Sequence, residues 1–197
     1  MTVCTFLERL DRVLIERTAS RVPNRAGRVL SAVEAAAENS KLWWGTAVAL
    51  AAAGGRRGRV AAGAGLSALA LAQFVSNGLC KHLADRPRPP KELIPHEGVH
   101  DRPDSPSFPS GHTAAAVAFT AAVTATWPAV GALCAIPAAT VALERVQSGA
   151  HYPSDVAGGA VIGLACAWLT RRTPSLLLRH RFPRVSAGGA AWERLPE

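Results

Sequence analysis

The stretch Thr113–Leu143, TAAAVAFTAAVTATWPAVGALCAIPAATVAL, runs for 31 residues without a charge. A helix rises about 1.5 Å per residue and needs ~20 apolar residues to cross a hydrocarbon layer about 30 Å thick. The run is therefore too long for one crossing. Pro128, directly after Trp127, lacks the amide hydrogen that a helix interior needs but suits a first helical position. Two helices meeting at this point follow, each of roughly 18 residues once Ser110–Gly111 and Glu144–Arg145 are added at the outer ends.

Working outward, Val60–Cys80 is an uncharged run of 21 residues, while Leu42–Gly55 and Val156–Thr170 are shorter runs of 14 and 15. Runs of the shorter kind also occur in buried helices, and a mean hydropathy of +0.13 is compatible with a soluble alanine-rich bundle. The placement of charge favours a membrane. Arg56, Arg57 and Arg59 cluster between the first two runs, and Arg171, Arg172, Arg179, Arg181 and Arg184 follow the last with no acid among them. The segment from Lys81 to His112 carries five basic and five acidic residues and is neutral. Basic loops are retained in the cytoplasm. With Arg56–Arg59 inside, Lys81–His112 falls outside, Pro128 inside, Glu144–Asp155 outside and the tail inside, so every loop fits one arrangement of five spans. Trp43, Trp44, Trp127 and Trp168 stand at or near run ends, where amphipathic rings favour the interface. The expected fold is an all-α integral membrane bundle of about five transmembrane helices.

Three segments are expected: an N-terminal amphipathic helical segment over 1–40, a membrane domain over 41–172 and a basic C-terminal tail over 173–197. In the first, Leu7, Leu10, Val13 and Leu14 recur at helical spacing, with Glu8, Arg9, Asp11, Arg12, Glu16 and Arg17 assigned to the other face. Such a helix lies in the membrane interface or packs as a cap on the bundle. Pro23 ends the pattern, and a second short helix is expected near Val29–Glu38. The formal charge of +8 is carried mainly by arginines beside apolar runs and without interleaved aromatics, which suits anionic lipid rather than nucleic acid. Cys4, Cys80, Cys134 and Cys166 are far apart, lack metal-ligand spacing and read as small hydrophobes.

Three polar clusters fall at the outer ends of the spans. Lys81 ends one span, and Arg88 follows in a loop stiffened by Pro87, Pro89 and Pro90. Pro109-Ser110-Gly111-His112 opens the next, where unpaired backbone N–H groups and the positive end of the helix dipole make an anion site. Arg145 is followed by His151 and, four residues later, by Asp155, a spacing that lets a carboxylate orient an imidazole if Asp155 begins a helix. Arginine offers a planar fork to phosphate oxygens and lysine a mobile point charge. Each residue alone is unremarkable at a membrane surface. Their coincidence on one side of an independently derived topology marks a site.

The order Lys81-x6-Arg88-Pro89, Pro109-Ser110-Gly111-His112 and Arg145-x5-His151-x3-Asp155 resembles the three-part signature of the type 2 phosphatidic acid phosphatase superfamily. That resemblance implies a metal-independent lipid phosphatase without a cofactor; the topology puts its site on the outer side, and compactness and composition point to a bacterial cell membrane. His151 would be the nucleophile that forms a phosphohistidine, Asp155 would orient it, and His112 would protonate the leaving oxygen and then activate water. Lys81, Arg88, Ser110, Gly111 and Arg145 would hold the phosphate. The implied partners are membrane lipids and a phosphorylated lipid: polyprenyl diphosphate (undecaprenyl diphosphate among them), a polyprenyl-linked sugar phosphate, phosphatidic acid or phosphatidylglycerol phosphate. The family usually has serine before the third-motif arginine. Here Glu144 stands there, either pairing with Arg145 and orienting it, or weakening phosphate affinity or altering substrate choice.

Two other readings compete. His96-Glu97-Gly98-Val99-His100 matches a zinc-hydrolase pattern that needs both histidines on one helical face, which Pro95, Gly98 and Pro103 disfavour. A non-catalytic lipid-binding protein on the same scaffold is the other, and the presence of both His112 and His151 argues against it.

Overall fold

The computed structural model describes residues 3–19, 30, 32–33, 35–93 and 105–181, and the described residues form helices without strands. The elements are α1 (Val3–Ala19), α2 (Lys41–Ala53), α3 (Gly55–Gln73), α4 (Gly111–Thr126), α5 (Pro128–Gln147) and α6 (Pro153–Arg181), with a short 3-10 turn at Glu38–Ser40 and another at Lys91–Leu93. A π-helical segment, Phe74–Cys80, and a last α turn, Lys81–Leu83, continue α3. The zinc-like His96–His100 motif and the last sixteen residues of the basic tail lie outside the described residues, as does Val29 of the second short helix expected near the N-terminus.

Local chemistry sets the boundaries. Pro128 occupies the first turn of α5, so the long uncharged run divides where expected. The side chain of Ser110 caps α4 by accepting the Thr113 N–H, and Asp155 lies in the first turn of α6, where negative charge complements the helix dipole. Two expected loops are instead helical. Arg56, Arg57 and Arg59 sit in the opening turns of α3, and α6 continues through Arg171 and Arg172 to Arg181. Arginine is a good helix former, and the reversal between α2 and α3 is left to Gly54 and Gly55, the latter at φ +56°.

The central helix is α4, packed against α3, α5 and α6, while α2 packs on α3 and α3 also touches α6. Its neighbours reach it through small residues. Ala114, Ala115, Ala116, Ala118 and Ala122 are buried on α4, against Ala61, Ala62, Ala68 and Ala72 of α3 and Cys166 and Ala167 of α6. A Cβ placed on Gly159 would fall 2.4 Å from the Ser110 carbonyl oxygen, and one on Gly163 would fall 2.6 Å from that of Ala114. Here α6 rests on the backbone of α4. The one large aromatic contact inside this interface is Trp43 against Phe119, with ring centroids 5.3 Å apart.

The large apolar side chains point outward instead. Trp44, Val48, Val60, Phe74, Leu133, Ile136, Val161, Leu164 and Trp168 are all exposed, on four different helices. Small residues inside and large hydrophobes outside are the pattern of helices that associate within lipid, where no hydrophobic gain draws Leu or Ile inward. Gly55–Leu83 and Pro128–Gln147 are each long and apolar enough to cross a membrane. One end of the bundle carries Gly54–Arg57 and Trp127, where the Arg57 Nε donates to the Thr126 carbonyl (3.0 Å) and its guanidinium lies over the Trp127 ring. The other end collects the start of α2, the end of the α3 rod, the starts of α4 and α6 and the end of α5.

Helix α1 lies at that second end, against α5 and α6. Its Leu7, Leu10 and Val13 are exposed, as an interfacial helix requires, yet Ile15 is buried against Val146 and Tyr152. The assignment of Asp11 to the solvated face is overturned: it is 2% exposed. Its carboxylate can be buried because Ser154 and Arg86 satisfy it by hydrogen bonds.

Candidate active site

A cavity of about 230 Å³ opens among these helix ends. Lys81, Arg88, Gly111, His112, Arg145 and His151 line it, so all three sequence clusters meet there. Ser110 and Asp155 are fully buried just behind the wall and do not line it. The Ser110 N–H donates to the Asp155 carbonyl at 3.0 Å, tying the start of α4 to the start of α6.

The cations are held in place by the loops. Arg88 donates its Nε to the Ser105 carbonyl (3.0 Å) and Nη1 to the Ala150 carbonyl (2.6 Å). Lys81 Nζ donates to Ser105 Oγ at 3.2 Å. Arg145 Nε forms a buried ion pair with Glu144. The His151 N–H closes the loop by donating to the Arg145 carbonyl (3.0 Å).

The ring of His151 is almost fully buried, and its Nδ1 lies 2.6 Å from the Ser107 carbonyl. A carbonyl only accepts, so Nδ1 carries the hydrogen and Nε2 keeps its lone pair. Burial, then the charges of Arg88, Arg145 and Lys81, push the pKa of His151 down to about 3, although the Ser107 carbonyl pulls the other way. At neutral pH the ring is an uncharged imidazole surrounded by cations, the state a nucleophile requires.

Asp155 is the next neighbour rather than the direct partner of that ring. Its Oδ2 is 3.9 Å from His151 Nδ1 and accepts the Tyr152 N–H at 2.9 Å, while Oδ1 accepts from Arg86 at 2.6 Å. The helical spacing of His151 and Asp155 does bring the two side chains together, but the backbone of Ser107 takes the hydrogen bond.

Sequence reasoning missed several residues here. Arg86 joins Asp155 to Asp11 and Ser154. Asn39, Ser40, Gln73 and Asn77 form an uncharged polar wall of the cavity, with Gln73 donating to Ser40 Oγ at 2.8 Å. Gln73, Ser76 and Asn77 were detectable as polar residues in an otherwise apolar run, a recognised marker of function inside membranes. The π segment lies beside the same wall, as such segments often do. Asn39 and Ser40 both adopt positive φ, at 50° and 60°, conformations non-glycine residues hold only when their surroundings enforce them.

Residues 61–178 match the model of the PAP2 superfamily. The chain belongs to that superfamily. Two solved structures share its fold. A transmembrane PAP2-type phosphatidylglycerolphosphate phosphatase from Bacillus subtilis superposes with a TM-score of 0.65 at 19% identity, covering 90% of this chain and 89% of that one. LpxE from Aquifex aeolicus superposes with a TM-score of 0.64 at 22% identity, covering 81% and 93%. In sequence, the chain is 38% identical over 73 residues to a lipid A 1-phosphatase of Rhizobium johnstonii and 33% identical over 97 residues to one of Rhizobium etli. These matches take in 37% and 43% of this chain but only 29% and 42% of the relatives, less than half of either. With its PAP2 neighbours, the chain is an all-helical membrane bundle.

Proposed function

We propose that this PAP2 protein is a lipid phosphatase that works through a phosphohistidine, without a metal, at the outer face of a bundle of five spans. The observation that carries the reading is the neutral His151, its Nδ1–H fixed by Ser107, in a cavity that also presents His112 and three cations. Phosphoryl transfer demands positioning and charge neutralisation above all. Lys81, Arg88 and Arg145, with the N-terminal amides of α4 beside Gly111, supply both.

His151 Nε2 attacks phosphorus, forming an N–P bond as the bond to the lipid oxygen breaks. His112, protonated, gives its proton to that oxygen. The neutral His112 then takes a proton from water, whose oxygen attacks phosphorus. The N–P bond breaks, inorganic phosphate leaves and His151 is again uncharged. Positive charge that develops on the His151 ring in the first step is stabilised by the Ser107 carbonyl and by the Asp155 carboxylate behind it.

The wall of Asn39, Ser40, Gln73 and Asn77 bears on the substrate. Among the described residues it offers amides and hydroxyls but no further charge to whatever lies next to the phosphate. This favours a monoester whose leaving group carries hydroxyl or amide groups, as a sugar headgroup does, over a diphosphate, and it agrees with the names of the Rhizobium relatives. The proposed orientation rests on the arginine-rich helix ends lying opposite the cavity.

The deciding experiment measures phosphate release by detergent-purified protein from lipid A, phosphatidic acid, phosphatidylglycerol phosphate and undecaprenyl diphosphate. Release is expected in the presence of a chelator and fastest with lipid A. His151→Ala should abolish it while leaving a folded protein; substantial activity in that variant overturns the nucleophile. A binding protein without catalysis would release no phosphate from any of the four.

A further inference from the structure

Helix α1 reaches the catalytic apparatus through one chain of charges. Asp11 is nearly completely buried, and each of its oxygens is used. Oδ1 accepts the Ser154 N–H at 3.0 Å, and Oδ2 accepts from Ser154 Oγ at 2.6 Å and from Arg86 Nη2 at 2.7 Å. Ser154 is the second residue of α6, so a carboxylate 143 positions away caps that helix. Arg86 continues the chain: Nη1 donates to Ser154 Oγ at 2.7 Å and to Asp155 Oδ1 at 2.6 Å, and its guanidinium stacks over the Tyr152 ring, 4.2 Å away. The far oxygen of Asp155 faces His151 Nδ1.

We propose that Asp11 and Arg86 are positioning residues for the nucleophile, and that α1 thereby supplies a working part of the active site. Arg86 fixes the carboxylate of Asp155 in the orientation that presents Oδ2 to the His151 ring. Alone, a guanidinium bonded to Asp155 would also draw off the negative charge that must stabilise the ring as it becomes positive. Asp11 offsets this by neutralising Arg86 from the other side, so the three-group chain keeps one net negative charge. A fork held by two carboxylates and a hydroxyl is also better fixed than one held by Asp155 alone. Neither Asp11 nor Arg86 lines the cavity. Their influence therefore falls on the chemical step and not on substrate binding.

The inference rests on the phosphohistidine reading, and one experiment separates the two. Radiolabelled lipid A and phosphatidic acid in detergent micelles are given in excess, up to saturation, to full-length enzyme, and the rate constant for labelling the protein is measured in the first turnover. This constant does not depend on the fraction of protein that is folded, whereas the amplitude does. Asp11→Asn and Arg86→Gln are expected to slow labelling at least tenfold, with half-saturation within twofold of wild type. Arg86→Lys should recover part of the loss, and Arg9→Ala, on the exposed face of α1, should behave as wild type. An unchanged rate constant in Asp11→Asn, with or without lost amplitude, overturns the inference. So does failure of both variants to give any protein that can be labelled, which reduces the chain of charges to a folding contact. Wild type that is never labelled by either lipid overturns the functional reading and this inference with it.

Discussion

Lowering the pH from 8 to 5 should destabilise the protein through His151, by an amount the site itself fixes. The ring is 3% exposed, and its pKa in the folded chain is about 3, against an ordinary value of 6.5. At pH 8 the ring is neutral in both folded and unfolded chains and contributes nothing to the difference. Between those two pKa values only the unfolded chain takes up the proton, so stability falls as pH falls, beginning near 6.5 and ending near 3. At pH 5 the unfolded chain gains about 2 kcal/mol from protonation at 1.36 kcal/mol per pKa unit, and the folded chain gains almost nothing. For a chain of this size about 2 kcal/mol corresponds to roughly 4–8 °C in Tm. The assay is thermal unfolding in detergent at pH 8 and pH 5 for wild type and for His151→Gln, which fills similar space and does not titrate. Wild type should lose roughly 4–8 °C more than the variant over this interval. Equal losses would refute the buried neutral imidazole and, with it, the account of how His151 is kept ready to attack.

Other outcomes follow from the same geometry. Glu144→Gln takes the negative charge from the buried Glu144–Arg145 ion pair, a change that costs about 3–5 kcal/mol in comparable sites. Its Tm should drop, while KM for the lipid phosphate falls because Arg145 is no longer shared; a raised KM would show that Glu144 orients Arg145 for the substrate. Gly159→Leu drives a side chain into the Ser110 carbonyl and should cost about 1–3 kcal/mol and most of the activity, measured as Tm and phosphate release. The same substitution at Val161, which is exposed on α6, should alter neither.

The parts of this protein that were legible from sequence are those carried by side-chain identity at fixed spacing. The split at Pro128 needed only the missing amide hydrogen. The three polar clusters needed only the alternation of spans, which returns every second loop to the same end. The His151–Asp155 spacing identified neighbours, but it could not reveal that the bond to the ring comes from Ser107, because every residue has a carbonyl. Asp11 looked like one more charge on a solvated face. Its burial depends on Arg86 and on Ser154, the latter 143 positions further along the chain. The start of α3 was equally hidden: arginines that suit a loop also suit a first helical turn, and Gly54–Gly55 make the reversal within two residues. Nor does any residue type encode the π segment.

That segment is best understood as a matter of register. A π turn accommodates one residue more than an α turn in the same length of rod, so Phe74–Cys80 acts as an insertion absorbed within a helix. Everything beyond it is offset from the α-helical phase of residues 55–73. Deleting a single residue there, Gly78 for example, would let the rod close as an uninterrupted α-helix. Lys81 would keep its angle around the axis, because the residue removed is the one that the π turn takes in. The lysine would then stay on the cavity wall, whereas the same deletion within residues 55–73, where the turns are already α-helical, would carry it about 100° around the axis. Among relatives of this chain, a gap of one residue therefore carries the weight of a lost cation when it falls in the α-helical part of the rod and none when it falls in the π segment, although an inventory of conserved side chains would record nothing missing in either.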